Sequence, residues 1–480
     1  MEQNQPEKRY GLFTAICMVV GIVIGSGVFF KAQDILNYTG GNMLLGTLAW
    51  VIGGLVMIVC AFNFANFATK HARVNGIVDY AEAIVGERYA YMTGWFLSTI
   101  YYPAMTAVLA WVSARYTLVI RNPSADVTGG LCMALAAFYL VVLYGVNLLA
   151  PRLAGRFQVS ATVIKLIPLL LLIFVGATVG LVSGSTVEAF SDSVPPSGAG
   201  EAHFSDVFAG IAAATFAYDG WICATSINAE LKNAKRNLPI ALVVGTSLIM
   251  VIYITYFVGL TGGASVDALR TDGATVAFRN LFGSVGGTVL NVFVAISCLG
   301  TLNGLTIANA RSIYSIAVRG HGIAPRLCAR LDDDTKTPLA SGFLSLVITA
   351  FWFFYFYAAN LTEPLFGVFS FDSSELPIIT IYAIYIPIFF CFLVKEGRKS
   401  IFKNGVMPAL AIVAALFMVF VAFYAHGIAK YQAAAAVGEF SFPVLFYLIV
   451  FAVIMVIGAF FYRPHGKGRE NGTAGGNNRE

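Results

Sequence analysis

Charge is scarce in this sequence. Of 480 residues only 11% are Asp, Glu, Lys or Arg, against roughly 25% in an average soluble domain. A soluble fold of this length needs far more polar surface to cover its core, so that class is excluded. Cysteine is sparse too. Cys17, Cys60, Cys132, Cys223, Cys298, Cys328 and Cys391 form an odd set, mostly inside apolar runs, with no paired spacing. They imply neither a disulfide framework nor a metal site and read as packing residues. His71, His203, His321, His426 and His465 are scattered and suggest no metal either. A nucleophile–base constellation, a metal triad and an HExxH motif are all missing, so no enzyme is expected. No A-x-A cleavage site follows the polar first ten residues, and the first apolar stretch is expected to stay in the membrane.

What the chain does have is apolar length. Hydrophobic residues make up 58% and aromatics 14%, with 47 glycines, which fits a helical membrane bundle whose helices approach closely at Gly. A spanning helix needs about 20 mostly apolar residues. Twelve segments qualify, near 10–36, 42–69, 88–118, 131–149, 157–183, 204–229, 238–262, 284–318, 338–358, 375–394, 406–427 and 441–462. The expected architecture is therefore an all-α polytopic membrane protein, one domain over 1–462. The polar tail 463–480 has the composition of a disordered end. With the N-terminus inside, nearly all basic loop residues fall on the cytoplasmic side. The opposite side receives only Arg115, Arg121, Arg270, Arg279 and Lys430, with Lys31 and Lys165 left within spans. By the positive-inside rule both termini are expected in the cytoplasm of a cell with this protein in its cell membrane. The net charge of +5 is then a topology signal and calls for no nucleic acid.

Two spans are interrupted. The first contains VGIVIGSGVFF, where Gly21, Gly25 and Gly27 break a strong helix near its middle. The sixth contains TFAYDGWICA, where Asp219 and Gly220 fall at a similar depth. Five helices separate them, so they run in opposite directions, and paired breaks in inverted halves point to a transporter binding site. The bland alternative is close helix packing of the small-xxx-small kind. Unwound backbone inside a bilayer is tolerated only where it lines a cavity or is buried in protein. Its loose N–H and C=O groups need partners, and an amino acid supplies both. A carboxylate suits the N–H groups around Gly25, Ser26 and Gly27; an ammonium suits the carbonyl ends near Val23 and Phe216.

These residues resemble the amino acid–polyamine–organocation superfamily, in its L-amino-acid transporter branch and its bacterial serine/threonine-exchanger-like members. GIVIGSGVF looks like that family's helix 1 signature, and FAYDGW followed by AELKNAKRNLPIAL like helix 6 and the loop beyond. VIKLIP is similar to the helix 5 lysine motif, and CLGTLNG with NARSIYSIAVRGHGIAP to helix 8 and its extension. The resemblance covers nearly the whole chain. It implies a LeuT-type fold with a 5+5 inverted repeat, helices 1–5 over 10–183 and helices 6–10 over 204–394, and peripheral helices 11–12 over 406–462. It also implies that Ser26 and Gly27 hold a substrate carboxylate, that carbonyls of Val23, Phe216 and Asp219 hold its amine beside Ala217, and that Phe216 is an aromatic lid.

Lys165 lies about nine residues beyond Arg156, or roughly 13 Å along a helix. A lysine so deep either faces a protein cavity with a functional role or snorkels to the interface. In the resembling family it reaches the unwound part of helix 1, where sodium-coupled relatives hold a sodium ion, so transport without sodium is expected. Asp219, where eukaryotic members commonly carry Gly, is either a coupling or gating carboxylate or a helix cap. Tyr102, with its neighbour Tyr101, and Trp221, Ser297 and Asn303 line a pocket or simply pack. Loop 119–130 has no Cys, whereas eukaryotic members use one there to bind a heavy subunit, so no disulfide-linked partner is expected. The expectation is a sodium-independent exchanger of neutral L-amino acids, with no cofactor and with the substrate and the bilayer as its partners. A proton-coupled symporter and a non-transporting amino acid sensor are the alternatives.

Overall fold

The computed structural model describes residue 8 and residues 10–25, 27–70, 76–122, 125–191, 204–361, 365–373 and 375–463. Among these, helices account for nearly all regular structure, and the one β feature is a parallel bridge between Tyr10 and Leu231. Eleven helices are long and apolar enough to cross a membrane, and a bent pair supplies a twelfth span. That pair is α1 (Leu12–Val23) and α2 (Gly27–Tyr38). After it come α3 (Met43–Lys70), the short α4 (Gly76–Ile84), α5 (Glu87–Arg121), α6 (Gly130–Leu149) and α7 (Pro151–Ser183). The second half contains α8 (Phe204–Tyr218), α9 (Ala234–Leu260), α10 (Ser284–Ala317), α11 (Leu339–Leu361), α12 (Pro377–Lys399), α13 (Ile401–Ala436) and α14 (Pro443–Phe460).

Apolar patterning decides which helices sit inside. On α14, Leu445, Ile449, Val453, Val456 and Phe460 recur at intervals of three or four and are all exposed, while Val444, Tyr447 and Gly458 face inward. An apolar stripe turned outward at helical spacing is a lipid face. By contrast α10 is buried without a break from Gly300 to Ala310, although that stretch holds Thr301, Asn303, Thr306 and Asn309. Polar side chains survive there because they bond one another: Asn147 Nδ2 on α6 donates to Asn303 Oδ1 at 3.0 Å and Thr306 Oγ1 at 2.8 Å. Small residues let α10 come close. A side chain at Gly300 would stand 2.8 Å from Ala161 Cβ on α7, the close approach that small residues permit between membrane helices. Thus α10 threads the interior against α1, α5 and α7.

The loop between α10 and α11 contains the acidic run Asp332–Asp334. The Thr335 N–H and hydroxyl donate to Asp332 at 2.9 Å and hold its carboxyl below the usual range, as a solvated turn does.

Candidate functional site

The two interrupted spans meet. α1 ends at Val23, α2 restarts at Gly27, and the halves are bent by 41°. α8 ends at Tyr218; a turn at Asp219 and Gly220 follows, and then a 3-10 stretch, Trp221–Glu230. Gly220 has φ +97°, a left-handed conformation that glycine adopts without steric cost. It turns the chain onto α1, so that an added Cβ would lie 3.0 Å from Ile22 Cγ2. Across the other side, a Cβ on Gly27 would sit 3.2 Å from the Ala217 Cα. At Gly27 backbone therefore faces backbone, while at Gly220 the chain packs directly on the Ile22 side chain. Tyr253 on α9 ties the two breaks together, its hydroxyl within 3.1 Å of the Val23 carbonyl and 3.2 Å of the Ala217 carbonyl.

Lys165 enters this junction from α7. Its side chain is fully buried. The Nζ donates to the Gly21 carbonyl at 2.7 Å, to the Ile24 carbonyl at 2.5 Å and to Thr301 Oγ1 at 3.3 Å. Ser297 and Thr301 on α10 also reach the Ile24 carbonyl, both at 3.3 Å. The ammonium thus occupies the point where α1 loses its helical bonds, and neutral oxygens surround it. Snorkelling, the other reading of a deep lysine, does not describe this side chain.

Asp219 is turned the other way, toward α5. Tyr101 OH donates to its Oδ2 at 2.6 Å, and its own N–H bonds the Phe216 carbonyl at 3.2 Å. The Tyr102 ring stacks edge-on against Tyr101 with centroids 5.3 Å apart. Trp221 is buried against Phe64 of α3 and Tyr385 of α12, at 5.7 and 6.1 Å. Val23, Gly25, Gly27, Ala217 and Asp219 are all buried and Phe216 half-buried. Ser26 lies outside the described residues. Asn303 donates to Gln158 Oε1 at 2.8 Å within the polar network between α6, α7 and α10.

Residues 10–460 match the profile of the amino acid permease family. The chain belongs to that family. Over 431 residues the permease is 27% identical to the serine/threonine exchanger SteT of Bacillus subtilis, covering 87% of this chain and 91% of that protein. It is also 27% identical to the b(0,+)-type amino acid transporter 1 of Oryctolagus cuniculus and to the large neutral amino acids transporter small subunit 2 of Homo sapiens. Those matches cover 66% and 72% of this chain, and 64% and 63% of the two longer proteins. A crystal structure of a mutant Eremococcus coleocola manganese transporter superposes with a TM-score of 0.57 at 13% identity. The match covers 96% of the permease and 97% of that chain, so the two share a fold.

Sequence reasoning did not single out Tyr253 or Thr301. Each is a polar residue within a largely apolar span, and such a residue usually finds a buried partner. That signal says a bond exists without naming the partner. It also left Lys31 unassigned.

Proposed function

We propose that this permease exchanges neutral L-amino acids across the cell membrane by alternating access, without sodium. One observation carries the reading: the Lys165 ammonium stands among the free carbonyls of Gly21 and Ile24 at the break in the first span. A fixed cation there does the structural work of a bound metal ion and leaves no need for one. The relatives named as a serine/threonine exchanger and as a transporter of large neutral amino acids support the substrate class.

In this reading the N–H groups at Gly25, Ser26 and Gly27 hold the carboxylate at the start of α2, where the helix dipole favours negative charge. Carbonyls of Val23, Phe216 and Asp219 hold the ammonium beside Ala217, and Phe216 covers the bound molecule. Helices α1–α7 and α8–α12 act as two inverted repeats with α13 and α14 outside them, and both termini face the cytoplasm. No covalently attached subunit is needed.

The test is uptake of radiolabelled neutral amino acids into proteoliposomes in sodium-free buffer. Strong stimulation by unlabelled amino acid inside supports exchange. Collapse of uptake on replacing sodium with choline at constant pH overturns the sodium-independent reading. A proton-coupled symporter is the second reading, favoured by the buried Asp219 carboxylate bonded to Tyr101. It requires uptake driven by a pH gradient with no substrate inside, and an altered pH profile in Asp219→Asn.

A further inference from the structure

The turn from α4 into α5 opens a cavity of about 500 Å³, lined by Val85, Gly86, Glu87, Arg88, Tyr89 and Met92. A helix advances about 100° per residue, so Tyr89 and Tyr91 leave α5 on nearly opposite faces. Tyr89 OH donates to the Ile384 carbonyl of α12 at 2.7 Å. On the other face Tyr91 OH donates to the Gly458 carbonyl of α14 at 2.7 Å, and Trp95 Nε1 to the Ile454 carbonyl at 2.9 Å. Arg88 and Met92 share the face midway between those contacts. The cavity is therefore the end of a groove floored by α5 and walled by α12 and α14. Both walls change character at this level. On α12, Phe390 and Val394 are exposed and Lys395 follows; on α14, Val456 and Phe460 are exposed and Arg463 follows. Exposed apolar side chains giving way to basic ones mark the step from hydrocarbon to headgroups. Charge in the groove is unbalanced. Glu87, the one acid of the lining, lies 3.0 Å from His321 Nε2, whereas Arg88 is exposed and makes no ion pair among the described residues. Lys395 reaches in from α12, its Nζ donating to the Ile84 carbonyl at 2.6 Å, one residue short of the lining. An ammonium has three donors, and that bond takes one.

We propose that this groove binds an anionic phospholipid, its phosphate held by Arg88 and Lys395 and an acyl chain laid over Met92 between α12 and α14. With the orientation given above, the lipid belongs to the cytoplasmic leaflet. Chemistry selects this occupant. A guanidinium pairs with phosphate through two parallel N–H bonds, and an ammonium adds a compact charge beside it. A zwitterionic lipid brings a further cation to a site that already holds two, with Glu87 engaged by His321. A soluble phosphate satisfies the cations but leaves the apolar groove beneath them unfilled. Met92 suits an acyl chain, because its unbranched thioether adapts to irregular apolar shapes. Anionic lipids of the cytoplasmic leaflet are drawn to basic clusters at this depth. Once bound, the lipid bridges Arg88 of α5 and Lys395 of α12.

The test is lipid binding to the purified full chain in a neutral detergent. It needs no transport, so it can succeed where the exchange assay fails, and the reverse. Native mass spectrometry counts the lipid retained from equal amounts of phosphatidylglycerol and phosphatidylcholine with the same acyl chains. Phosphatidylglycerol is expected to be retained about tenfold more. Arg88→Gln and Lys395→Gln are each expected to lower that retention severalfold. Met92→Trp, which fills the groove and leaves both charges in place, is expected to lower it as well. Arg236→Gln, at an exposed cation near the start of α9, is the control and is expected to retain lipid like the parent. Equal retention of the two lipids by the parent overturns the site. So does unchanged retention in Arg88→Gln, or an equal loss in Arg236→Gln. Displacement of the lipid by glycerol phosphate at matched concentration would make the ligand a soluble anion and overturn the lipid assignment. Arg88 and Lys395 are both exposed, so their variants are expected to fold. Where one does not, the other decides together with Met92→Trp.

Discussion

The chain buries two lysines inside its spans and treats them in opposite ways. Lys165 gives its hydrogen bonds to neutral oxygens, the Gly21 and Ile24 carbonyls and the Thr301 hydroxyl. Lys31 gives its own to the carboxylates of Glu375 and Asp34. A charge met by backbone dipoles stays put, because those dipoles belong to the helix break and exist only there. A charge met by a carboxylate on another element can be released when the elements part. The first arrangement suits a fixed part of the site and the second a moving one.

The sharpest way to break this comparison is Lys165→Met. Two buried carbonyls then lose a charged donor and keep only the longer hydroxyl contacts of Ser297 and Thr301, and a hydrogen bond to a charged group is worth about 1.5–3 kcal/mol. Exchange in proteoliposomes is expected to fall by roughly 100-fold, the equivalent of about 2.7 kcal/mol. Parent-like exchange in this variant would reduce Lys165 to a packing residue and remove the argument for a fixed cation.

Gly21→Ala attacks the same centre from the other side. The new Cβ would lie 2.1 Å from Thr162 Oγ1 and 2.8 Å from Gln158 Nε2, so α1 must shift away from α7. The expected loss is about 1–3 kcal/mol, as for other overpacked sites, read as a lower thermal unfolding temperature in detergent. Thr162→Ala is expected to restore part of it, since the hydroxyl is the nearest obstacle. Additive losses in the double variant would place the strain elsewhere.

How far these features were legible in the sequence depends on their range. The spans were visible because each is a continuous apolar run, and the breaks because glycines and Asp219 interrupt such runs at matching depth. The structure does bring those breaks together, with Gly27 against Ala217 and Gly220 against Ile22. What the sequence could not give was pairing between distant elements. Lys31 and Glu375 lie 344 residues apart, and nothing local to either names the other. Asn303 makes the same point: its motif allowed either a pocket or a packing role, and only the placed neighbours show that it donates to Gln158. Residue type and depth can be read along one helix; facing cannot until its neighbours are placed.

Tyr253→Phe is a milder probe of the fixed centre. It deletes the hydroxyl shared by the Val23 and Ala217 carbonyls and keeps the ring stacked on Tyr218, 5.0 Å away. Loss of a hydrogen bond of this kind is worth about 0.5–1.5 kcal/mol. Substrate binding, measured by competition against a labelled neutral amino acid, is expected to weaken about three- to tenfold. An unchanged affinity would mean that the two breaks hold their register without this tie.

The smallest effect is expected where both members of the moving pair are replaced together. Removing one partner of a buried ion pair strands the other, whereas replacing both by apolar residues of similar volume is often nearly neutral. Lys31→Met with Glu375→Leu is therefore expected to unfold within about 1 kcal/mol of the parent, with either single variant less stable than the double. Asp34 would lose a neighbour but is nearer solvent. No such rescue exists for Lys165, because its main partners are carbonyls of the main chain and cannot be substituted away. If the Lys31–Glu375 double variant proved as damaged as Lys165→Met, the pair would be a brace of the fold, and the distinction between a held and a releasable lysine would fail.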